Sequence, residues 1–564
     1  MRYLTQSCYL FGINVKRQRE LDVAAPRNLR FYLKLGRSAS TLSPSENDDH
    51  FFSYTSGRWL YEEETQLRRR YIKFDLEGLR KTAALTLGSR CVHISKLPEG
   101  LYNKVFSLTM EGGKEILARI PNPNAGDPDY VVESEVATLD FLRKMIGVPV
   151  PKLLGWSARS GVSNSVGAAY ILMERVKGHQ LSDVWETMSE SQRFGLVKSL
   201  VEIERRLASI RFTNYGSLYY DGTRSRSLNV VDSVEQSVDV PDTMSKFVIG
   251  PTTERSFWVD ERGELDIDRG PWTSFEEYIS AVVRREMSLI RKLSSQRQSR
   301  HPGFLGSAGT SPEDHIRLLQ QFLAVLPHIL PPAEITRPVL LHQDLHGDNI
   351  FVHEDDPTKI SSIIDWQASY AAPLFLQAKF ASIVDCDDPY PWGAVQPELP
   401  QDFDYLPESE KVLAKAAFHR LRLKKFYELA SRKFNPTLIR AMDAIRDDGD
   451  PTNFIFHLIG QTATDGPIPL KELLIQIFEK WDQITEKSGS KVACPISFAQ
   501  EEISNARDQA QAWADAFNEF EALRSDIAGK DGWVSHKEYE EAMARFEAHR
   551  GALETLQRRL EEVS

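Results

Sequence analysis

The chain has 564 residues, 41% of them apolar and 26% charged, with a formal charge of −11 at neutral pH. That length suits two or three folding units or one two-lobed protein with insertions, and the acidic balance argues against nucleic acid as a partner, whose recognition rests on clustered Lys and Arg. The four cysteines lie far apart with no CxxC pair, which fits unpaired thiols in a reducing compartment, and no apolar run approaches the ~20 residues needed for a membrane span.

Residues 1–45 hold eight Lys or Arg against only Glu20 and Asp22, interspersed with Leu, Phe, Tyr and Ser. Such a basic leader reads as a mitochondrial presequence or as a basic arm without an address. Residues 50–90 open on Phe51, Phe52, Tyr54, Trp59 and Tyr61 and run on to a helix-like stretch, Leu76 to Leu87. That much aromatic surface is expected to dock, as an N-terminal extension, on the main body. From Cys91 the pattern predicts short strands at Cys91–Lys96, Lys104–Met110 and Glu115–Ile120, with Gly112-Gly113 forming a hairpin turn at positive φ. A helix follows with Val132, Val136 and Leu139 on one side, then a strand over 168–176. Residues 91–177 thus form a small β-rich lobe. Residues 178–494 read as a larger, mainly helical lobe, carrying an insert at 213–272 and a β island at 339–364. The segment 495–564 reads as a charged helical tail whose Trp513, Phe517, Phe520 and Leu523 share a face, the charged remainder being solvated. The fold class is therefore α+β and bilobal, in the element order of a protein-kinase-like fold.

The chemistry is concentrated in His342-Gln-Asp344-Leu-His-Gly-Asp-Asn349 and in Ile364-Asp365. Phosphoryl transfer needs a carboxylate to orient or deprotonate the attacking hydroxyl and hard oxygen ligands to hold Mg²⁺ on nucleotide phosphates. Asp344 suits the first task, Asn349 and Asp365 the second, and His342 braces the loop. A polar turn alone would also use Asp and Asn, but H-x-D-x-x-x-x-N followed by Ile-Ile-Asp at a strand end is far more specific. In the small lobe, Gly100 and Asn103 lie in a loop that could cover phosphates with backbone N–H groups. Arg119 stands where a phosphate-clamping Lys is usual, and it can fork onto two oxygens. Its expected partner is Glu135, beside the Val132–Val136–Leu139 stripe, whereas Glu133 points well away. Glu174 closes the strand that would serve as an adenine hinge or simply end in solvent. Asp531-Gly532 with Glu538 echoes part of an EF-hand loop, but Ile527 and Gly529 occupy positions that need oxygen ligands, so calcium is not expected.

These motifs resemble the aminoglycoside phosphotransferase/choline kinase superfamily. With Tyr54-Thr-Ser-Gly-Arg-Trp-Leu60, Ala118-Arg119-Ile-Pro-Asn-Pro-Asn-Ala-Gly126, Phe247-Val-Ile-Gly-Pro251 and Arg269-Gly-Pro-Trp272, the chain resembles more closely the fungal group called altered inheritance of mitochondria protein 9. The resemblance implies a bilobal kinase-like fold, an ATP and Mg²⁺ site, residence in mitochondria (the matrix), and a nucleotide and a small-molecule acceptor as partners. It departs from the superfamily in Gln343 where Gly is usual, in Arg119 for Lys, and in Tyr370-Ala-Ala-Pro-Leu-Phe375 replacing a Gly-Asp-Pro segment. Drug phosphorylation is not carried over with the fold. The two functions left open are a small-molecule phosphotransferase and a non-catalytic kinase-fold protein of mitochondrial maintenance.

Overall fold

The computed structural model describes residues 49–158, 164–222, 246–295, 311–446, 450–487, 489, 492–529 and 531–563, so the basic leader over 1–45 lies outside the described residues. The N-terminal extension contributes strand β1 (Arg58–Trp59) and the helix Leu76–Leu87. That helix starts where Asp75 accepts the Gly78 N–H and ends at Gly88 in the left-handed conformation.

The small lobe is one antiparallel sheet of β2 (Cys91–Lys96), β3 (Asn103–Met110), β4 (Glu115–Pro121), β5 (Leu153–Ser157) and β6 (Tyr170–Glu174), in the order β2–β3–β4–β6–β5. Gly112 and Gly113 turn the β3–β4 hairpin with φ of 92° and 84°, values at which a Cβ is strained. β5 escaped the sequence reading because Pro149 and Pro151 precede it and its Leu-Leu-Gly-Trp-Ser lacks alternation.

Both faces of the sheet are covered. Phe106, Leu108, Ile116, Ala118 and Ile120 point to one side, where Phe52, Phe74, Leu79 and Ala83 of the extension pack on them. Alternation sends Leu117 and Arg119 to the other side, against the helix Pro128–Phe141, whose Val132 and Val136 meet Ile171 and Met173. Glu133 was expected to point away from the core; it is buried instead, because the insert packs on this helix as well.

The large lobe follows. β7 (His179–Gln180) joins a later hairpin, and the helix Glu190–Ser209 opens with a complete capping box at Ser189 and Gln192. The insert forms a two-stranded sheet of β8 (Ser217–Tyr220) and β9 (Phe247–Gly250). It spans the lobes. Phe247 meets Phe141 of the small-lobe helix at 5.3 Å between ring centroids, while Gly216 bridges Ala371. A Cβ on Gly216 would lie 2.3 Å from the Gly250 carbonyl, so only glycine fits there. β10 (Pro338–Leu340), β11 (Ile350–Val352), β12 (Ile360–Ile363) and β13 (Ala371–Pro373) build the island that carries the polar motifs, with β10 paired to β13 and β11 to both β12 and β7. Beyond it, after the helix Leu374–Gln377, a long loop with one 3₁₀ turn (Phe403–Tyr405) leads to the helices from Glu408 onward.

The tail is more than a solvated face. Trp513 and Phe517 stack at 4.8 Å and are buried with Ile468 and Leu560. β14 (Trp533–Val534) pairs antiparallel with β1. Asp531 accepts the Trp533 N–H and Glu538 the Ser535 hydroxyl in the turns around that strand. The two ends of the described chain are thus locked together. None of the described helices is long and apolar enough to cross a membrane.

Candidate active site

The β11–β12 hairpin folds the two polar motifs onto one another. Ile350 pairs with Ile363, and the Ile364 N–H donates to the Asn349 carbonyl at 2.9 Å, so Asn349 and Asp365 lie at the same end of the hairpin. Asp365 adopts φ of 61°, a left-handed conformation that Asp and Asn tolerate better than most residues.

His342 holds the loop to this end. Its Nε2 lies 2.8 Å from the Ile364 carbonyl and its Nδ1 3.1 Å from the Asp344 N–H. A carbonyl needs a donor and an amide N–H an acceptor, so the ring is the neutral Nε2–H tautomer. Burial, which lowers the pKa of His342, favours the same state. The ring stands edge-on to Trp366 at 4.7 Å.

Asp344 itself is two-thirds exposed, with 68% of its side chain accessible. The adjacent His346 ring holds its carboxyl below the ordinary range in spite of partial burial. His346 lies between Asp344 and Asp348, at 3.6 and 3.3 Å, and these carboxylates raise its pKa to about 10. Its Nε2 also stands 3.1 Å from the Asn349 amide nitrogen, which the Asp344 carbonyl fixes at 2.9 Å. A neutral ring accepts such an N–H and an imidazolium opposes it, so this contact and the Asp348 N–H, 3.3 Å from His346 Nδ1, both work against the upward shift. With Asn349 Nδ2 engaged in this way, its Oδ1 is the atom left to act as a ligand.

Across the cleft, Arg119 donates to Glu135 on the small-lobe helix and, at 3.2 Å, to Asp365. Burial pushes Glu135 up to about 7 even beside this guanidinium, the Asp365 charge adding to the shift. The loop before β3 is clasped from several sides. Glu99 is fully buried between Lys96 at 2.5 Å and Lys104 at 2.9 Å, and it accepts the Thr55 N–H at 2.8 Å. Its own N–H donates to Ser56 Oγ at 2.7 Å. Thr55 is in turn held by His536 of the tail, 3.1 Å from its carbonyl. The extension and the tail therefore brace the loop before β3, a role with no signal in the sequence.

A Cβ on Gly100 would meet no atom within 4 Å. Asn103 does not leave its amide free toward a phosphate: Nδ2 donates to Gln367 Oε1 at 2.6 Å, tying the small lobe to the segment after Asp365. The Glu174 N–H donates to the Lys152 carbonyl, and its carboxylate accepts the Lys152 N–H, both at 2.9 Å, which leaves any adenine donor to residues beyond it. Gln343 is accommodated through Gln377, 2.8 Å away.

Below Asp344 opens a cavity of about 670 Å³, walled by Trp366, Phe380, Tyr390 and Trp392 and carrying Lys424 and Arg446. Lys424 is paired with Asp385 at 2.8 Å, and Arg446 stacks on Trp392 at 4.5 Å. These lining residues come from separate elements, so no local pattern in the sequence marks the cavity.

A β-sheet lobe over a mainly helical lobe, with H-x-D-x-x-x-x-N and Asp365 at their junction, defines the class of bilobal, protein-kinase-like phosphotransferase folds. A profile of the phosphotransferase enzyme family (APH) matches residues 93–375, and the chain belongs to that family. A subtelomeric hrmA-associated cluster protein of Aspergillus fumigatus is 33% identical over 469 residues, which are 78% of this chain and 87% of that protein. Altered inheritance of mitochondria protein 9, mitochondrial, of Yarrowia lipolytica is 25% identical across 88% of this chain and 86% of its own length. Among solved structures, an aminoglycoside phosphotransferase in complex with streptomycin and ATP aligns over 73% of this chain and 99% of its own, at 12% identity and a TM-score of 0.34.

Proposed function

We propose that this chain is an ATP- and Mg²⁺-dependent phosphotransferase acting on a hydroxyl of a small molecule. The observation that carries the reading is the meeting of Arg119, Glu135, Asp365 and Asn349 at the junction of the lobes, with Asp344 at the mouth of a roomy cavity. Asn349 and Asp365 fit magnesium, which takes a few hard oxygen ligands from protein and the rest from phosphates and water. Among the described residues no group of three or more His, Cys, Asp and Glu side chains could hold a metal by itself, and two ligands suit a metal that arrives with its nucleotide. The buried, unpartnered Oε1 of Glu135 and Nε2 of Gln367 mark the cleft as a place where polar contacts wait for a ligand. The metal would neutralise charge on the phosphates; Arg119 would hold them, and Asp344 would orient the acceptor hydroxyl and take its proton.

Ligand binding raises melting temperature by mass action. Mg-ATP is therefore expected to raise that of the full-length protein, and Asp365→Ala to abolish the rise; a rise of equal size in the variant would remove Asp365 from the metal site. The engagement of Asn103 with Gln367 favours a second reading, a kinase fold retained without turnover in mitochondrial maintenance, and nucleotide binding without any ADP formation in the presence of a panel of metabolite hydroxyls would select it.

Residence in mitochondria belongs to the same reading, supported by the basic leader and by the name of the Yarrowia relative. Residues 1–45 fused to a fluorescent protein are expected to direct it to mitochondria. Cytosolic fluorescence would refute the address.

A further inference from the structure

The insert brings one charged side chain into the cleft that has no partner of its own. Arg255 opens the 3₁₀ turn Arg255–Phe257. The turn is firmly held: Phe257 is fully buried, the Thr253 N–H donates to Ser217 Oγ at 2.9 Å, and that hydroxyl reaches the Ser369 carbonyl at 3.2 Å. The neighbouring Glu254 faces elsewhere, accepting from the hydroxyls of Ser256 and Tyr278. The side chain of Arg255 makes no hydrogen bond or ion pair among the described residues, and its Nε is buried without a partner. Its guanidinium lies 3.9 Å from the ring centroid of Tyr102.

Tyr102 sits in the loop before β3, next to Asn103, whose amide is fixed on Gln367 two residues after Asp365. The carbonyl of Leu101, on the other side, is held by Arg70 and Asn124, both at 3.1 Å. The ring is thus a fixed platform above the Asp365 end of the cleft. Arg255 lies near enough to Glu135 on one wall and to Asp344 on the other for its charge to act on both. A guanidinium on an aromatic platform, half-buried with its Nε unpartnered and no donor engaged among the described residues, is suited to an anion that completes it.

We propose that Arg255 is a phosphate-binding residue of the cleft, its guanidinium stacked on Tyr102 and donating to the terminal phosphate of a nucleoside triphosphate opposite Arg119. This rests on the phosphotransferase reading above and extends it. The catalytic loop then comes from the β island, while the insert lends a second arginine to the transferred group.

Titration calorimetry of the full-length protein with Mg-ATP and with Mg-ADP tests it. The wild-type protein is expected to bind the triphosphate more tightly than the diphosphate. Arg255→Ala is expected to weaken Mg-ATP by about tenfold or more, the value of a hydrogen bond to a charged group, and to leave Mg-ADP within about twofold; Arg255→Lys, charged but unable to fork, is expected to fall between. Undiminished Mg-ATP binding by Arg255→Ala overturns the proposal alone, as does an equal loss for both nucleotides. A wild-type protein that binds neither nucleotide overturns this proposal and the phosphotransferase reading together.

Discussion

Asp344→Asn is expected to slow ADP formation from Mg-ATP, whether the phosphoryl group goes to an acceptor or to water, by about 10²- to 10⁴-fold, while the rise of melting temperature with Mg-ATP is retained. The side chain is exposed at the mouth of the cavity and its carboxyl is held ionised by His346, so it can accept a proton from a hydroxyl entering from below. A carboxylate with a lowered pKa is a weak base; its contribution is chiefly to orient the hydroxyl and to receive the proton late, as phosphoryl transfer requires. The asparagine keeps the shape and removes the charge. His342 fixes the loop through backbone groups that the substitution does not touch, so nucleotide binding serves as an internal control. A rate of ADP formation equal to wild type would remove Asp344 from the reaction.

Arg119→Met is expected to have the largest effect on stability. It leaves Glu135 buried without its cation, and breaking a buried pair from one side costs about 3–5 kcal/mol. Glu135 can lessen the cost by staying protonated. Its pKa is already raised to about 7 by burial, so in the wild type the stability it contributes below its unfolded value is lost as pH rises toward 7. Without Arg119 the folded pKa moves higher still. The destabilisation of the variant is therefore expected to be smaller below about pH 6 and to grow as pH rises above 7. Adding Glu135→Gln should recover much of the loss at high pH. Melting temperatures of the four proteins of this double-mutant cycle between pH 5 and 9 check both points, and a pH-independent loss would show that the two side chains are not coupled.

Much of the architecture could be read along the chain because it rests on short-range rules. The Gly112-Gly113 turn, the alternation that sets Arg119 opposite Ile116, Ala118 and Ile120, and the 3.6-residue spacing that puts Glu135 beside Val132 all follow from backbone geometry over a few residues. The catalytic motif is compact for the same reason, its loop and hairpin being continuous in sequence. Reading from spacing failed where a segment meets a distant neighbour. Glu133 has the spacing of an outward residue, but a second layer, the insert, covers its side of the helix. Asn103 has the position of a phosphate-loop residue, but Gln367 of the other lobe takes its amide. The charged tail has the composition of a solvated helix, but its apolar stripe and β14 find Ile468 and β1.

Residue type and local order were thus enough to specify an α+β, two-lobed phosphotransferase-family chain and the motif that runs from His342 to Asp365. Only the tertiary structure could reveal that Thr55 and Ser56 latch the loop before β3 through Glu99, that His536 braces that latch, and that Arg255 stands over Tyr102 without an ion pair among the described residues. The reason is physical. Local conformation depends on neighbours within a turn or a strand, whereas burial and charge pairing depend on which distant surfaces come to exclude water from one another.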